Sequence, residues 1–294
     1  MSRLISKLMH VRERLKTFGT RHRVTLFALA LIVFLVGLYV SFENLDLTLS
    51  TLSLGPVILI VLLTQPLMIF INSLELKLCA QASQSSLSLQ DSVYVSSSAT
   101  IANILPLPAG LVLRAGALIK YGGKISVVSK VLLIAALMWV AIAVTVSGAL
   151  IADGYFSAFV LMAGIAAISI LVLYTLRLCN LKIALGFLAV RAALVAVLVV
   201  QLKLWFAVIG SDIALSDAAI YVVSGVAGAV ISIVPAGLGV IESFGALLAK
   251  LDGASTSLAF IVLSLNRLGG LALAAISIMI FGAFRRVQHE PSAL

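Results

Sequence analysis

This chain carries little charge. Asp, Glu, Lys and Arg make up 11% of its 294 residues, where a soluble domain carries about 25%. A water-facing surface cannot be assembled from so few charges, which excludes a soluble globular protein. There are two cysteines, Cys79 and Cys179, with no pairing or metal-ligand spacing, and all three histidines (His10, His22, His289) lie in the tails. A metal centre or histidine chemistry inside the apolar region is therefore not expected. The chain has no GxSxG, no HExxH, no phosphate-cradling loop and no paired-aspartate motif. No stretch between the apolar runs is long enough for a soluble catalytic domain. Neither an enzyme nor a bound cofactor is expected.

What is present is hydrocarbon. The chain is 62% hydrophobic with a mean hydropathy of +1.23, and apolar runs of the roughly 20 residues that cross a bilayer recur from end to end. The expected fold is an all-α polytopic membrane protein with about six full spans, near 24–42, 55–75, 131–151, 156–176, 187–208 and 256–281. The first run has no small-residue cleavage site after it and reads as a retained span. It is preceded by a basic segment, residues 1–23, with Arg3, Lys7, Arg12, Arg14, Lys16, Arg21 and Arg23 opposed by Glu13 alone. Such a segment reads as cytoplasmic and as resting on anionic headgroups, not on nucleic acid. Residues 24–283 form one transmembrane domain, and 284–294, with Arg285 and Arg286, a short cytoplasmic tail.

Two segments do not fit full spans. Residues 88–121 open on the polar stretch SLQDSVYVSSSAT, break at Pro106, Pro108 and Gly110, and continue as a short apolar piece to Lys120. Residues 214–250 do the same around Pro235, Gly237 and Gly239. Each arm has roughly 12 to 18 residues, about 18–27 Å as helix, short of the roughly 30 Å hydrocarbon core. Two re-entrant broken hairpins are expected. The segments also match. Between Tyr94–Leu111 and Tyr221–Leu238 nine of eighteen positions are identical (Tyr, Val, Ser, Ala, Ile, Pro, Ala, Gly, Leu), and Lys77–Asp91 matches Lys203–Asp217 in length and at both ends. The basic residues Lys77, Lys120, Lys124, Lys130, Arg177, Lys182, Arg285 and Arg286 fall on one side if each hairpin returns to the face it left. That orientation puts both termini in the cytoplasm and the hairpins on opposite faces. The chain thus reads as an inverted-topology repeat, about 55–151 against 187–281, a hallmark of alternating-access transporters.

Charged residues beside the breaks are the candidates for a site. Arg114 follows the first break and Glu242 the second. One reading pairs them across the pseudo-two-fold axis. The other gives Arg114 an anion such as a lipid phosphate and leaves Glu242 as counter-charge or proton-coupling carboxylate. Arg267, mid-way along the last span, is expected to bond a backbone carbonyl or Glu242, or to touch substrate. Asn266 beside it reads as an interhelical hydrogen-bond residue or substrate contact. Asn103 reads as satisfying backbone freed by Pro106 or as a ligand contact. Arg191 reads as snorkelling, Glu75 and Lys77 as interfacial, Gly269 and Gly270 as close helix packing, and Asp91 and Asp217 as helix caps.

Taken together, N-x-x-P-x-P-x-G-x-x-x-R from Asn103 to Arg114, P-x-G-L-G-V-x-E from Pro235 to Glu242, and Arg267 in the last span resemble one family, the lysylphosphatidylglycerol synthase transmembrane (flippase-like) family. It includes the flippase region of the bacterial multiple peptide resistance factor. The likeness runs from about residue 24 to 283. It implies a bacterial or archaeal plasma-membrane (inner-membrane) protein that moves a phospholipid or lipid-linked headgroup across the bilayer. Arg114, Glu242, Arg267, Asn103 and Asn266 would then be its substrate contacts, and membrane lipids its partners. Ala109 and Ala236 stand where a second glycine is usual. The stretch after the last span leaves no room for a soluble aminoacyl-transferase domain, so lysyl-lipid synthesis is not expected. Two alternatives stand beside transport. One is a non-transporting scaffold for a membrane glycosyltransferase or lipid-modifying enzyme of the cell envelope; the other is an intramembrane transferase acting on a lipid-linked donor.

Overall fold

In a computed structural model the chain is described over residues 23–45, 54–104, 109–151, 154–230 and 237–289. The basic segment up to Arg21 and the break residues Pro106, Pro108 and Pro235 lie outside the described residues. The described chain is helical, with no strand. In order it forms α1 (Arg23–Asn44), α2 (Leu54–Ala82), α3 (Leu89–Ala102), α4 (Ala109–Lys120), α5 (Ile125–Ile151), α6 (Gly154–Leu178) and α7 (Leu181–Val208). There follow α8 (Leu215–Ile220), a 3₁₀ turn (Tyr221–Val223), α9 (Ser224–Val230), α10 (Val240–Leu251) and α11 (Thr256–His289).

Five helices, α2, α5, α6, α7 and α11, are long and apolar enough to cross a membrane. The remaining expected span, α1, has 22 residues, with its described apolar stretch over Ala28–Asn44. The chain is a multi-pass helical membrane protein by helix length and hydropathy. Its outer faces agree: Tyr155 is 98% exposed, and Phe156, Phe159, Met162 and Ile170 on α6 are also exposed. Side chains of this size and polarity are stable outward in hydrocarbon and not in water.

Several helices outrun the sequence-based boundaries. α2 continues past residue 75 to Ala82, α5 begins at Ile125 and α7 at Leu181. The added turns contain neither proline nor a polar cluster, so nothing stops backbone hydrogen bonding at the edge of the apolar run. For the same reason α11 runs through Arg285 and Arg286 to His289, two residues before Pro291. The expected cytoplasmic tail therefore begins as helix.

The short helices lie where the broken segments were expected, 14 and 12 residues in α3 and α4 and 12 in α10. Each pair opens on an acidic cap. Ser88 Oγ accepts from the Asp91 N–H at 3.0 Å and donates to Asp91 Oδ2 at 2.7 Å, while Asp217 Oδ2 accepts from the Ala214 N–H at 3.1 Å. These side chains satisfy helix-start donors that have no intrahelical acceptor.

α2 and α7 lie side by side and antiparallel. Thr64 meets Gln201, Glu75 meets Arg191, and Leu78 lies against Gly186, so numbers rise along one helix as they fall along the other. Two apolar cores form at opposite ends of these helices and of α5. One joins Leu76, Cys79, Val128, Val131, Ile183 and Phe187 to Val95 of α3 and Leu118 of α4. The other joins Ile60, Met138, Ile142, Leu202 and Trp205 to Tyr221 and Val222 and to Leu248 of α10. The α3/α4 pair and the α8–α10 group thus pack at opposite ends of the same long helices. α5 packs on α8, and α11 on α3.

Candidate functional site

α10 starts on a left-handed turn. Gly237 has φ +61° and Gly239, its N-cap, φ +76°. A Cβ on Gly237 would sit 2.9 Å from Gly228 Cα, so glycine is needed here both for the backbone angle and for the contact between α9 and α10. This turn presents the Gly237 carbonyl and puts Glu242 in the first turn of α10, where the helix dipole favours an anion.

Glu242 is fully buried, and its Oε1 accepts from Arg267 Nη1 at 2.8 Å. The same Nη1 reaches the Gly237 carbonyl at 3.4 Å. Arg267, whose side chain is 12% exposed, therefore ties the turn and α10 to α11 through both partners anticipated for it. Glu242 Oε2 is buried without a hydrogen-bond partner among the described residues. Beside the pair, Gln65 Nε2 of α2 donates to the Asn266 carbonyl at 3.0 Å and approaches Asn266 Oδ1 at 3.5 Å. Gly269 and Gly270 make room for this, since Cβ atoms there would lie 3.0 Å from Val61 and 3.2 Å from the Gln65 amide. Gln201, fully buried, donates to Thr64 Oγ1 at 2.8 Å. A polar layer of Thr64, Gln65, Gln201, Glu242, Asn266 and Arg267 thus crosses the otherwise apolar interior at the second break.

The residues of the first break lie apart from it. Asn103, the C-cap of α3, accepts from the Gly110 N–H on its Oδ1 at 3.1 Å, which is the backbone-satisfying role. Gly110 lies inside α4 and is needed for a close approach: a Cβ would lie 2.3 Å from Asn103 Oδ1 and 2.6 Å from the Ala99 carbonyl. Arg114 is half-buried, and its Nε finds no hydrogen-bond partner among the described residues. It does not pair with Glu242, which is held by Arg267. Its neighbours Leu113 and Ala115 pack instead against the core formed by Cys79 and Phe187.

Arg191 and Glu75 are not where the sequence reading put them. Arg191 does not snorkel and Glu75 is not interfacial. They form a 2.6 Å ion pair between α7 and α2, with side chains 8% and 3% exposed. Both sit well inside their helices, Glu75 seven residues before Ala82 and Arg191 ten after Leu181, because those helices outrun the expected spans. Lys77 donates to the Leu87 carbonyl. Sequence reasoning also missed Gln65 and Gln201. A signal was available: Gln65 and Arg191, like Glu75 and Gln201, recur at the 126-residue spacing that separates Lys77 from Lys203. No cluster of three or more His, Cys, Asp or Glu residues able to hold a metal occurs among the described residues.

No family model, curated protein or solved structure matches this chain.

Proposed function

We propose that the chain moves a phospholipid or lipid-linked headgroup across the plasma membrane, with the anionic group held between two re-entrant hairpins. In this reading α1, α2, α5, α6, α7 and α11 span the bilayer. The α3/α4 pair and the α8–α10 group enter from opposite faces as halves of an inverted repeat. The observation that carries it is the packing of those two groups at opposite ends of the antiparallel α2 and α7, with buried charge beside each break. Helices of 12 to 14 residues reach only about 18–21 Å. They end inside a hydrocarbon core of about 30 Å, where irregular backbone survives when it is buried in protein or lines a wet cavity. Charge at that depth is costly and marks sites where a polar substrate passes.

Arg267 and Glu242 hold the second hairpin closed, and Arg114 serves the first. A headgroup phosphate competes with Glu242 for the Arg267 guanidinium, whose planar fork suits phosphate oxygens. Opening of the hairpin on one face is thereby coupled to occupancy. The resemblance of the Asn103–Arg114 and Pro235–Glu242 motifs to the lysylphosphatidylglycerol synthase transmembrane family favours the same reading, in a bacterial or archaeal inner membrane with both termini cytoplasmic. The scaffold reading draws on one observation, that Glu242 and Arg267 are already paired with one another.

The test is translocation by the purified protein in vesicles carrying trace tail-labelled phosphatidylglycerol, read with a membrane-impermeant quencher. Wild type should expose inner-leaflet label to the quencher, and Arg114→Ala and the charge-neutral double variant Glu242→Gln/Arg267→Gln should reduce this to the protein-free rate while remaining folded. A folded wild type that moves neither phospholipid nor lipid-linked sugar, yet co-purifies with a lipid-modifying enzyme, would replace transport by the scaffold reading.

A further inference from the structure

The Arg191–Glu75 pair and Arg114 form a second cluster of buried charge, on a different level from the Glu242–Arg267 layer. Along α2 the two levels are ten residues apart, from Gln65 to Glu75, or about 15 Å of helix. Three features mark this cluster as more than a tie between α2 and α7. It holds two guanidinium groups against one carboxylate, so it carries an uncompensated positive charge in a low-dielectric interior. Polar atoms on all three side chains, Arg191 Nε, Glu75 Oε2 and Arg114 Nε, are buried without hydrogen-bond partners among the described residues. Finally, Arg114 is half-buried while Arg191 and Glu75 are enclosed, so the cluster has one approachable side. Cys79, fully buried, shares one core with Phe187 of α7 and Leu118 of α4, and Leu113 and Ala115 on either side of Arg114 pack against that core, so α4 and α7 meet this end of α2.

We propose that Arg114 and Arg191 form a second anion site for a phosphate group, with Glu75 as the resident counter-charge that the phosphate displaces. The site belongs to the first hairpin as the Arg267 site belongs to the second. It rests on the transport reading for its use as a second station on one path. Binding itself is independent of movement. A phosphate diester offers two oxygens to two guanidinium forks, and the exchange leaves Arg191 paired throughout. Glu75 therefore opposes binding while it stabilises the unliganded protein.

The experiment measures retention of phosphatidylglycerol by the full chain in phosphatidylcholine nanodiscs doped with that lipid, counted by native mass spectrometry. A parallel arm measures binding of inorganic phosphate to the detergent-solubilised protein. Arg191→Gln and Arg114→Gln should each weaken retention roughly tenfold, the size of one charge-assisted hydrogen bond, and Glu75→Gln should strengthen it by a similar factor. Arg191→Gln alone leaves Glu75 unpaired and can misfold, so the double variant Glu75→Gln/Arg191→Gln decides. It removes both charges and should fold, yet retain the lipid roughly tenfold less than Glu75→Gln alone. Double-variant retention equal to that of Glu75→Gln would overturn the proposal and reduce the pair to a structural tie, as would retention unchanged in every variant. Inorganic phosphate binding that follows the same order of variants, with no preference for the lipid, would keep the site and assign it to free phosphate. Translocation of the same proteins separates the two readings. Wild type that retains the lipid without moving it sinks transport and leaves the site, whereas wild type that moves lipid and retains it no better than the arginine variants sinks the site and leaves transport.

Discussion

Replacing Arg267 by methionine should be among the most damaging single changes in the chain. Methionine keeps the stem that packs between α10 and α11 and removes the guanidinium. Glu242, with no exposed surface, then loses its 2.8 Å partner, and the Gly237 carbonyl loses a donor. Removing one member of a buried ion pair costs about 3–5 kcal/mol, chiefly because the remaining charge stays buried without compensation. For a chain of this size that corresponds to a fall in melting temperature of roughly 6–20 °C. Glu242→Gln should cost less, since its amide oxygen still accepts from Arg267. The double variant Glu242→Gln/Arg267→Met leaves no charge behind and should recover much of the loss, giving a coupling energy of about 2 kcal/mol in a double-mutant cycle. Thermal unfolding of the purified protein, followed by tryptophan fluorescence, measures this directly, because Trp205 is buried with its ring against the Gly269 position. Single variants melting within about 2 °C of wild type, or effects that add to within about 0.5 kcal/mol, would refute the pair as the tie between α10 and α11.

Three further changes test the frame around it. Gly237→Ala must adopt φ +61° and press a methyl to 2.9 Å from Gly228 Cα; a loss of about 2–4 kcal/mol is expected on the same melt. Ser147 Oγ donates to the Ala219 carbonyl and accepts from the Val223 N–H across the 3₁₀ interruption, so Ser147→Ala should cost about 1–3 kcal/mol by leaving both groups unpaired. Gln201→Leu should stay within about 1 kcal/mol of wild type, although Gln201 is buried and hydrogen-bonded. Thr64 keeps its bond to the Ile60 carbonyl and the unpartnered Gln201 Oε1 disappears.

The sequence showed the helical membrane class, the short helices at the two breaks, the caps at Asp91 and Asp217 and the glycine turn before Glu242, because each is a local rule about period, length or backbone angle. It also showed that Arg267 needed a partner. What it did not show depends on which helices touch. Arg191 and Glu75 were read as near span ends because apolar runs, not helix lengths, set the expected boundaries. Helices continue through Lys77 and Lys182 as readily as through leucine, and the extra turns bury both residues. The separation of Arg114 from Glu242 was equally out of reach, since nearly matching places in a repeat say nothing about contact across it. Gln65 and Gln201 were hidden by their neutrality, although each recurs opposite a charged residue in the other half.

Hairpins that open to opposite faces are the premise on which transport rests, and one labelling experiment addresses it. Lys124 and Ala254 are exposed residues in the turns that close the first and second short-helix groups. Each is replaced singly by cysteine in a Cys79→Ala/Cys179→Ala background, and intact cells are treated with a membrane-impermeant thiol reagent. Labelling of Ala254→Cys from outside, with Lys124→Cys reached only after permeabilisation, is the expected result. Labelling of both from the same side would contradict the inverted repeat and remove the basis for alternating access.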